Sequence, residues 1–205
     1  TPPPTSTAPS AHLYPDFTHQ KSIDVIEKRD TYIIDFQGEP IVTKFEFLKA
    51  LAIARVYGFK EYEKALTFIK LNYSSTIEGK EAERILDEVL PTVKNDRFLK
   101  NDLSDNYKIV YQFDTVSNSD IDSQITTLKK YIDKVDYLDL TVSEDFYNNI
   151  ITFVVVHGLK SYDGSLGLAE RLENSIDIQA KSFFVISTDN YKTIQIHKNL
   201  DKFEK

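Results

Sequence analysis

Cysteine is absent from all 205 residues. That excludes disulfides, thiolate zinc sites, iron–sulfur clusters and a cysteine nucleophile. It leaves the compartment open, because a periplasmic protein can lack cysteine too. Methionine and tryptophan are also missing, which decides nothing about function. No apolar run reaches the roughly 18–20 residues needed to span a bilayer. The longest, Ile150 to Val156, suits one buried strand. The first residues lack the basic start and apolar core of a signal peptide. A chain opening at Thr1 is expected to be processed or excised from something longer. Positive charge is in deficit: 25 Lys+Arg against 32 Asp+Glu give a net charge of −7. An acidic chain repels phosphate backbones, so nucleic acid is not an expected partner. What remains is ordinary globular composition, 41% hydrophobic and 28% charged, so disorder of the whole chain is excluded.

Residues 1–20 open with TPPPTSTAPS and read as a proline-rich linker, since proline fixes φ and removes amide donors. Residues 21–92 carry helical periodicity. Ser22 to Ile34 predicts one helix, and Gln37-Gly38-Glu39-Pro40 a turn. Thr43 and Glu46 have the T-x-x-E spacing of a capping box. Phe47, Leu48, Leu51, Ala52 and Val56 follow on one side, and Gly58 is placed to stop the helix. Helices are expected over Lys60–Leu71 and Gly79–Leu90, the last ended by Pro91. The helix-turn-helix unit advances by about 36 residues from Thr43 to Gly79, near the tetratricopeptide period. Ala50, Ala52, Ala54, Ala65 and Ala82 stand where helices must approach closely. A DNA-binding helix-turn-helix is disfavoured, because Glu61 and Glu63 sit beside Lys60, Lys64 and Lys70 on the second helix.

Residues 93–106 form a polar connector and the expected domain boundary. Residues 107–205 then change character. Tyr107–Thr115 alternates as a strand, Asp120–Val135 is helical, and Tyr137–Val142 alternates again. Ile150–Val156 is a strand buried on both faces, after an Asn148-Asn149 turn. Leu166–Ile176 is a short helix, Phe183–Ser187 a strand, and Tyr191–His197 reads as a further strand. The expected fold class is therefore α+β: N-terminal tetratricopeptide-like helices, then a ferredoxin-like βαββαβ domain with an extra strand.

Chemistry is sparse. HGLKSYDGSLG places Gly158, Gly164 and Gly167 between a strand and a helix, but not with the spacing of a phosphate cradle. The histidines form no H-x-x-x-H or H-E-x-x-H pattern, and His157 and His197 read as surface residues at strand ends. No G-x-S-x-G elbow exists. Asp133, Asp136, Asp139, Glu144 and Asp145 read as a solvated charge run. No catalytic residue, metal or cofactor is therefore expected. The excess is aromatic, with 12 Tyr and 13 Phe. Tyr57, Phe59, Tyr62, Tyr73 and Tyr191 are the candidate partner-binding residues.

Two stretches resemble a known family. The first contains P-x-x-x-K-F-x-F-L-K-A-L at Pro40–Leu51, K-A-L at Lys64–Leu66, E-G-K-x-A at Glu78–Ala82 and I-L at Ile85-Leu86. It is similar to the last tetratricopeptide unit of the SprE/PorW lipoproteins of the type IX secretion system of Bacteroidota. The second, SFFVISTDNYKTIQIHKNLDKFEK, is similar to that family's ending in Phe184–Ser187, Asn190–Lys192 and Lys202-Phe203. The resemblance covers about residues 20–205 and implies the C-terminal part of a longer protein. It implies a non-catalytic module on the periplasmic face of the outer membrane. Its partners would be the translocon and other components of the secretion and gliding machinery. Membrane attachment would come only through a lipid anchor outside this chain. Family members carry a lipidated cysteine and are much longer; this chain has neither feature. The alternative is a periplasmic peptidoglycan-binding module, by fold-level analogy.

Overall fold

The computed structural model describes residues 21–100, 104–115, 118–134 and 139–203. The proline-rich stretch, Val135 and the Tyr137-Leu138 start of the second expected strand lie outside them. The fold is α+β, a helical segment followed by a four-stranded antiparallel sheet with helices on both faces.

The helical segment begins with α1 (Lys21–Asp35), α2 (Ile41–Tyr57), α3 (Phe59–Asn72) and α4 (Ile77–Arg84). Ala50, Leu66, Ile69 and Ala82 are each at most 1% exposed, so the helices close on small and branched side chains. The expected capping box does not form. Pro40 already has helical φ, so α2 starts at Ile41 and Thr43 falls inside the first turn. Its hydroxyl instead donates to Glu78 of α4 at 2.9 Å. Thr76 does cap α4, accepting from the Gly79 amide at 3.0 Å. Pro91 does not end the last helix. A π turn (Ile85–Val89) precedes it, in which the Leu90 amide reaches five residues back to Ile85. The wider turn lets a donorless residue into the first turn of α5 (Leu90–Val93).

The sheet contains β1 (Tyr107–Asp114), β2 (Thr141–Phe146), β3 (Ile151–Leu159) and β4 (Ser182–Ser187) in the order β2-β3-β1-β4. Helix α6 (Asn118–Ile132) joins β1 to β2, and α7 (Tyr162–Ser175) joins β3 to β4. Strand alternation sorts the core. Ile109, Tyr111, Val154 and Val156 face α6 and α7 with Ile121, Leu128, Leu168 and Leu172. Val110, Phe153, Val155 and Ile186 face the opposite way. The apolar run in β3 is thus buried on both faces. Asn148 builds the hairpin before it, its Oδ1 accepting from the amides of Ile150 and Ile151. Strand β2 lies later than expected because its Ser-Glu-Asp centre reads as a loop; charge is tolerated on an edge strand. Gly158 belongs to β3, at a bulge opposite Tyr107–Ile109, whereas Gly164 and Gly167 lie within α7.

The extra strand is a helix. Residues Thr188–His197 form α8, followed by α9 (Leu200–Phe203). Ser187 caps α8 by accepting from the Asn190 amide. Tyr191 and Ile194, three apart, bury together against Val110 and Phe153. Alternation in YKTIQIH is outweighed by that cap and by the bare sheet face waiting to be covered. The connector is strapped to α8: the Asn190 side chain bonds both the amide and carbonyl of Leu99, at 2.7 and 2.9 Å.

The two halves meet at Gly58, the turn between α2 and α3. Its φ is +80°, and a Cβ there would stand 2.8 Å from the Ile196 carbonyl and 2.7 Å from Lys198 Cγ. Beside it the rings of Phe59 and His197 are 5.1 Å apart, and His197 Nε2 donates to the Val93 carbonyl. Gly58→Ala is expected to destabilise the chain by about 1–3 kcal/mol in urea unfolding, since strain and a steric clash act together.

Candidate functional site

Two features lie along this junction. The first is an open apolar groove of about 600 Å³. Leu51 of α2, Phe59 and Tyr62 of α3, Val89 and Val93 after α4, and Ile196 of α8 line it. Val93 stands beside α8, its carbonyl accepting from His197 Nε2 at 2.9 Å. Val89 keeps 39% of its surface exposed.

The second is a polar chain on the α8 side of the sheet. Strand alternation brings Lys108 (β1), His157 (β3), and Ser143 and Asp145 (β2) to one face. Lys108 Nζ lies 2.9 Å from His157 Nδ1, and Ser143 Oγ lies 2.7 Å from His157 Nε2. The Ser143 hydroxyl donates to Asp145 Oδ1 at 2.9 Å, and the Tyr191 hydroxyl to Asp145 Oδ2 at 2.6 Å. Gln195 Nε2 donates to the Tyr191 oxygen, and Lys198 Nζ to Gln195 Oε1.

Proton positions follow from the ends of the chain. An ammonium has no acceptor, so Lys108 donates to Nδ1 and the imidazole proton sits on Nε2. Nε2–H then donates to Ser143, and every donor from both ends converges on Asp145. Burial and the neighbouring Lys108 cation hold the His157 pKa below its usual value, so the ring is neutral. Burial also lowers the pKa of Lys108. Tyr191 is raised by burial and then by Asp145, keeping its hydroxyl a donor.

This geometry resembles a serine–histidine pair with the imidazole proton on the nitrogen that faces the serine. A general base needs a lone pair facing the serine, and here Nε2 carries the proton. The chain is a satisfied polar network that ties β2 to β1, β3 and α8. Its far end opens into a cleft of about 300 Å³, where Arg55 and Lys198 face Glu144 and Asp145. Lys198 has left-handed backbone, φ 51°, and stacks its ammonium 4.9 Å from the Tyr147 ring centre. Burial and then Arg55 push its pKa down to about 7. Among the described residues, no three His, Asp or Glu side chains converge as a metal site. No helix there is long and apolar enough to cross a membrane.

The five candidate aromatics do not form one surface. Phe59 and Tyr62 line the apolar groove, although Phe59 is only 7% exposed. Tyr57 is exposed beside Ile26, Ile53 and Ala65, in a second groove between α1 and α3. Tyr73 packs edge-on against Phe68 at the end of α3. Tyr191 lies on α8 rather than a strand, and is buried. Of the charged residues read as a solvated run, Asp145 is the acceptor at the centre of the network. His157 is bonded on both nitrogens rather than free at the surface. The signal for the network was present: Lys108 occupies the same strand face as the buried Val110.

No protein-family model matches the chain, and no curated protein matches it either.

Two outcomes are expected. Tyr191→Phe removes a donor to a carboxylate and should cost about 1.5–3 kcal/mol in urea unfolding. The Lys198 ammonium is disfavoured in the folded state, so the unfolded chain binds more protons between pH 7 and about 10.4. Stability should therefore rise with pH across that window. Lys198→Met should raise the melting temperature at pH 6, an advantage that shrinks toward zero by about pH 10.

Proposed function

We propose that the chain is a non-catalytic protein-interaction module, and that the open apolar groove between the helical segment and α8 receives its partner. The groove carries this reading: it is concave, apolar, and framed by the helical segment on one side and α8 on the other. The stacked helix pairs are read as a tetratricopeptide-like unit, in keeping with their spacing of about 36 residues. The sheet is read as ferredoxin-like, supported by the order β2-β3-β1-β4 with helices between β1 and β2 and between β3 and β4. Helix α8 then takes the place of an additional strand.

With the residue pattern of Pro40–Leu51 and Phe184–Ser187, this architecture supports a place in the SprE/PorW family. On that reading the module acts at the periplasmic face of the outer membrane and links the translocon to other components of the type IX machinery. The glycan-binding alternative asks for an open sheet face. Here α6 and α7 cover one face and α8 and Leu200 pack on the other.

The test is capture from solubilised outer membranes of a gliding Bacteroidota species, using the tagged chain and a Tyr62→Ser/Val89→Asp double variant shown to be folded by circular dichroism. The expected result is recovery of translocon proteins by the wild type and at least about tenfold less by the variant. Equal recovery by both would move the contact away from the groove. Recovery of no secretion protein by either would overturn the family reading.

A further inference from the structure

Lys198 is placed unlike the surface lysines. Lys70, Lys192 and Lys202 each meet a carboxylate, at 3.2, 3.2 and 2.7 Å. Among the described residues Lys198 makes no ion pair, and the charge that acts on it is the like charge of Arg55. Its stem is wedged at the junction of the halves, where a Cβ on Gly58 would stand 2.7 Å from Lys198 Cγ. Its Nζ donates to Gln195 Oε1 at 3.0 Å and lies 4.9 Å from the centre of the Tyr147 ring. The side chain is thus held at both ends, on the wall of the cleft of about 300 Å³.

The other charged groups around that cleft come from α2 and β2. On β2, both oxygens of Asp145 are taken by hydroxyls, of Ser143 and of Tyr191, and Glu144 has contacts of its own. On α2, Arg55 is exposed and has neither a hydrogen bond nor an ion pair among the described residues. An ammonium buried without a counter-ion beside a guanidinium is driven toward the free amine. With the Lys198 pKa at about 7, close to half of the amine carries a lone pair at neutral pH. An ordinary lysine does so in roughly one molecule in 2,500. The free amine keeps its N–H bond to Gln195 and has the lone pair left over. Desolvation and a neighbouring cation are what make a lysine nucleophilic. The planar fork of Arg55 matches a carboxylate.

We propose that Lys198 is a covalent binding site for small 2-oxo acids, with Arg55 receiving the carboxylate and the Lys198 amine adding to the adjacent carbonyl. The Nζ lone pair attacks the carbonyl carbon, and the carbonyl π pair moves to oxygen. Two hydrogens pass from Nζ to that oxygen through water in the open cleft. The oxygen leaves as water, and a C=N bond remains. No oxidant or reductant is consumed, and hydrolysis reverses the step. The cleft is at the lower bound of small-molecule sites, which suits a ligand of this size. Arg55 and Gln195 also border the apolar groove. The test below needs no partner protein, so either reading can fail without the other.

Reductive trapping of the full chain is the experiment: glyoxylate with cyanoborohydride, followed by peptide mapping by mass spectrometry. The reductant delivers hydride to the imine carbon and leaves a stable carboxymethyl amine. Lys192 and Lys202 serve as references within the same molecule. At pH 7 Lys198 should be modified at least about tenfold faster than either. Its rate should level off above about pH 8, whereas theirs keep rising toward about pH 10. With acetaldehyde, which lacks the carboxylate, the lead of Lys198 should shrink at least about threefold. Arg55→Gln should erase that difference between the two aldehydes and move the levelling of the Lys198 rate to higher pH. Lys198 reacting no faster than the reference lysines overturns the inference. An equal lead with both aldehydes in the wild type overturns it as well, and neither comparison depends on the variant folding.

Discussion

Helix α8 is buried by two cores at once, and the arrangement of everything else depends on that double contact. Tyr191 and Ile194 point into the sheet, against Val110, Phe153 and Ile186. Ile196, two residues on, packs with Phe59, Leu66 and Leu90 of the helical segment. A helix can serve two cores only if both come close, and at Gly58 a Cβ would already stand 2.8 Å from the Ile196 carbonyl. Any side chain there would push the halves apart and open the groove between them. The connector adds to this, because the Asn190 amide holds Leu99 while Asn199 donates to the Asp96 carbonyl. A polar stretch with the composition of a loose linker is thereby fixed at several points.

The polar network has a related role. Among the described residues edge strand β2 pairs with β3 alone, and edge strands slip where nothing fixes their register. Asp145 receives donors from its own strand and from α8, and Ser143 receives one from β3. A slip of one residue would turn Ser143 and Asp145 to the other face and strand two half-buried polar groups among Val154, Val156 and Leu128. The network therefore specifies register as well as contributing stability.

Much of the fold was legible in the residues. The helices at Ser22–Ile34 and Lys60–Leu71, the strands at Tyr107 and Phe183, and the double burial of β3 follow from periodicity. What escaped has physical causes. YKTIQIH alternates as a strand and also spaces Tyr191 and Ile194 as a helix; the decision lay in a sheet face that only the folded chain presents. Pro91 usually ends a helix, and nothing local foretold a π turn that admits it. The site was less legible than the fold. Lys108, Ser143, Asp145 and His157 come from three strands and join only through register. Of the aromatics chosen for composition, Phe59 and Tyr62 reach the groove, whereas Tyr191 is spent on the interior.

A groove walled by both halves has a fixed shape only if the two halves form one body. Native-state hydrogen exchange followed by mass spectrometry measures this directly. Amides of α3, the connector at Arg97–Leu99 and the end of α8 at Ile196-His197 are expected to open together, with protection close to that of β1 and β3. Exchange of α2–α4 through a much easier opening, with the sheet still protected, would contradict it.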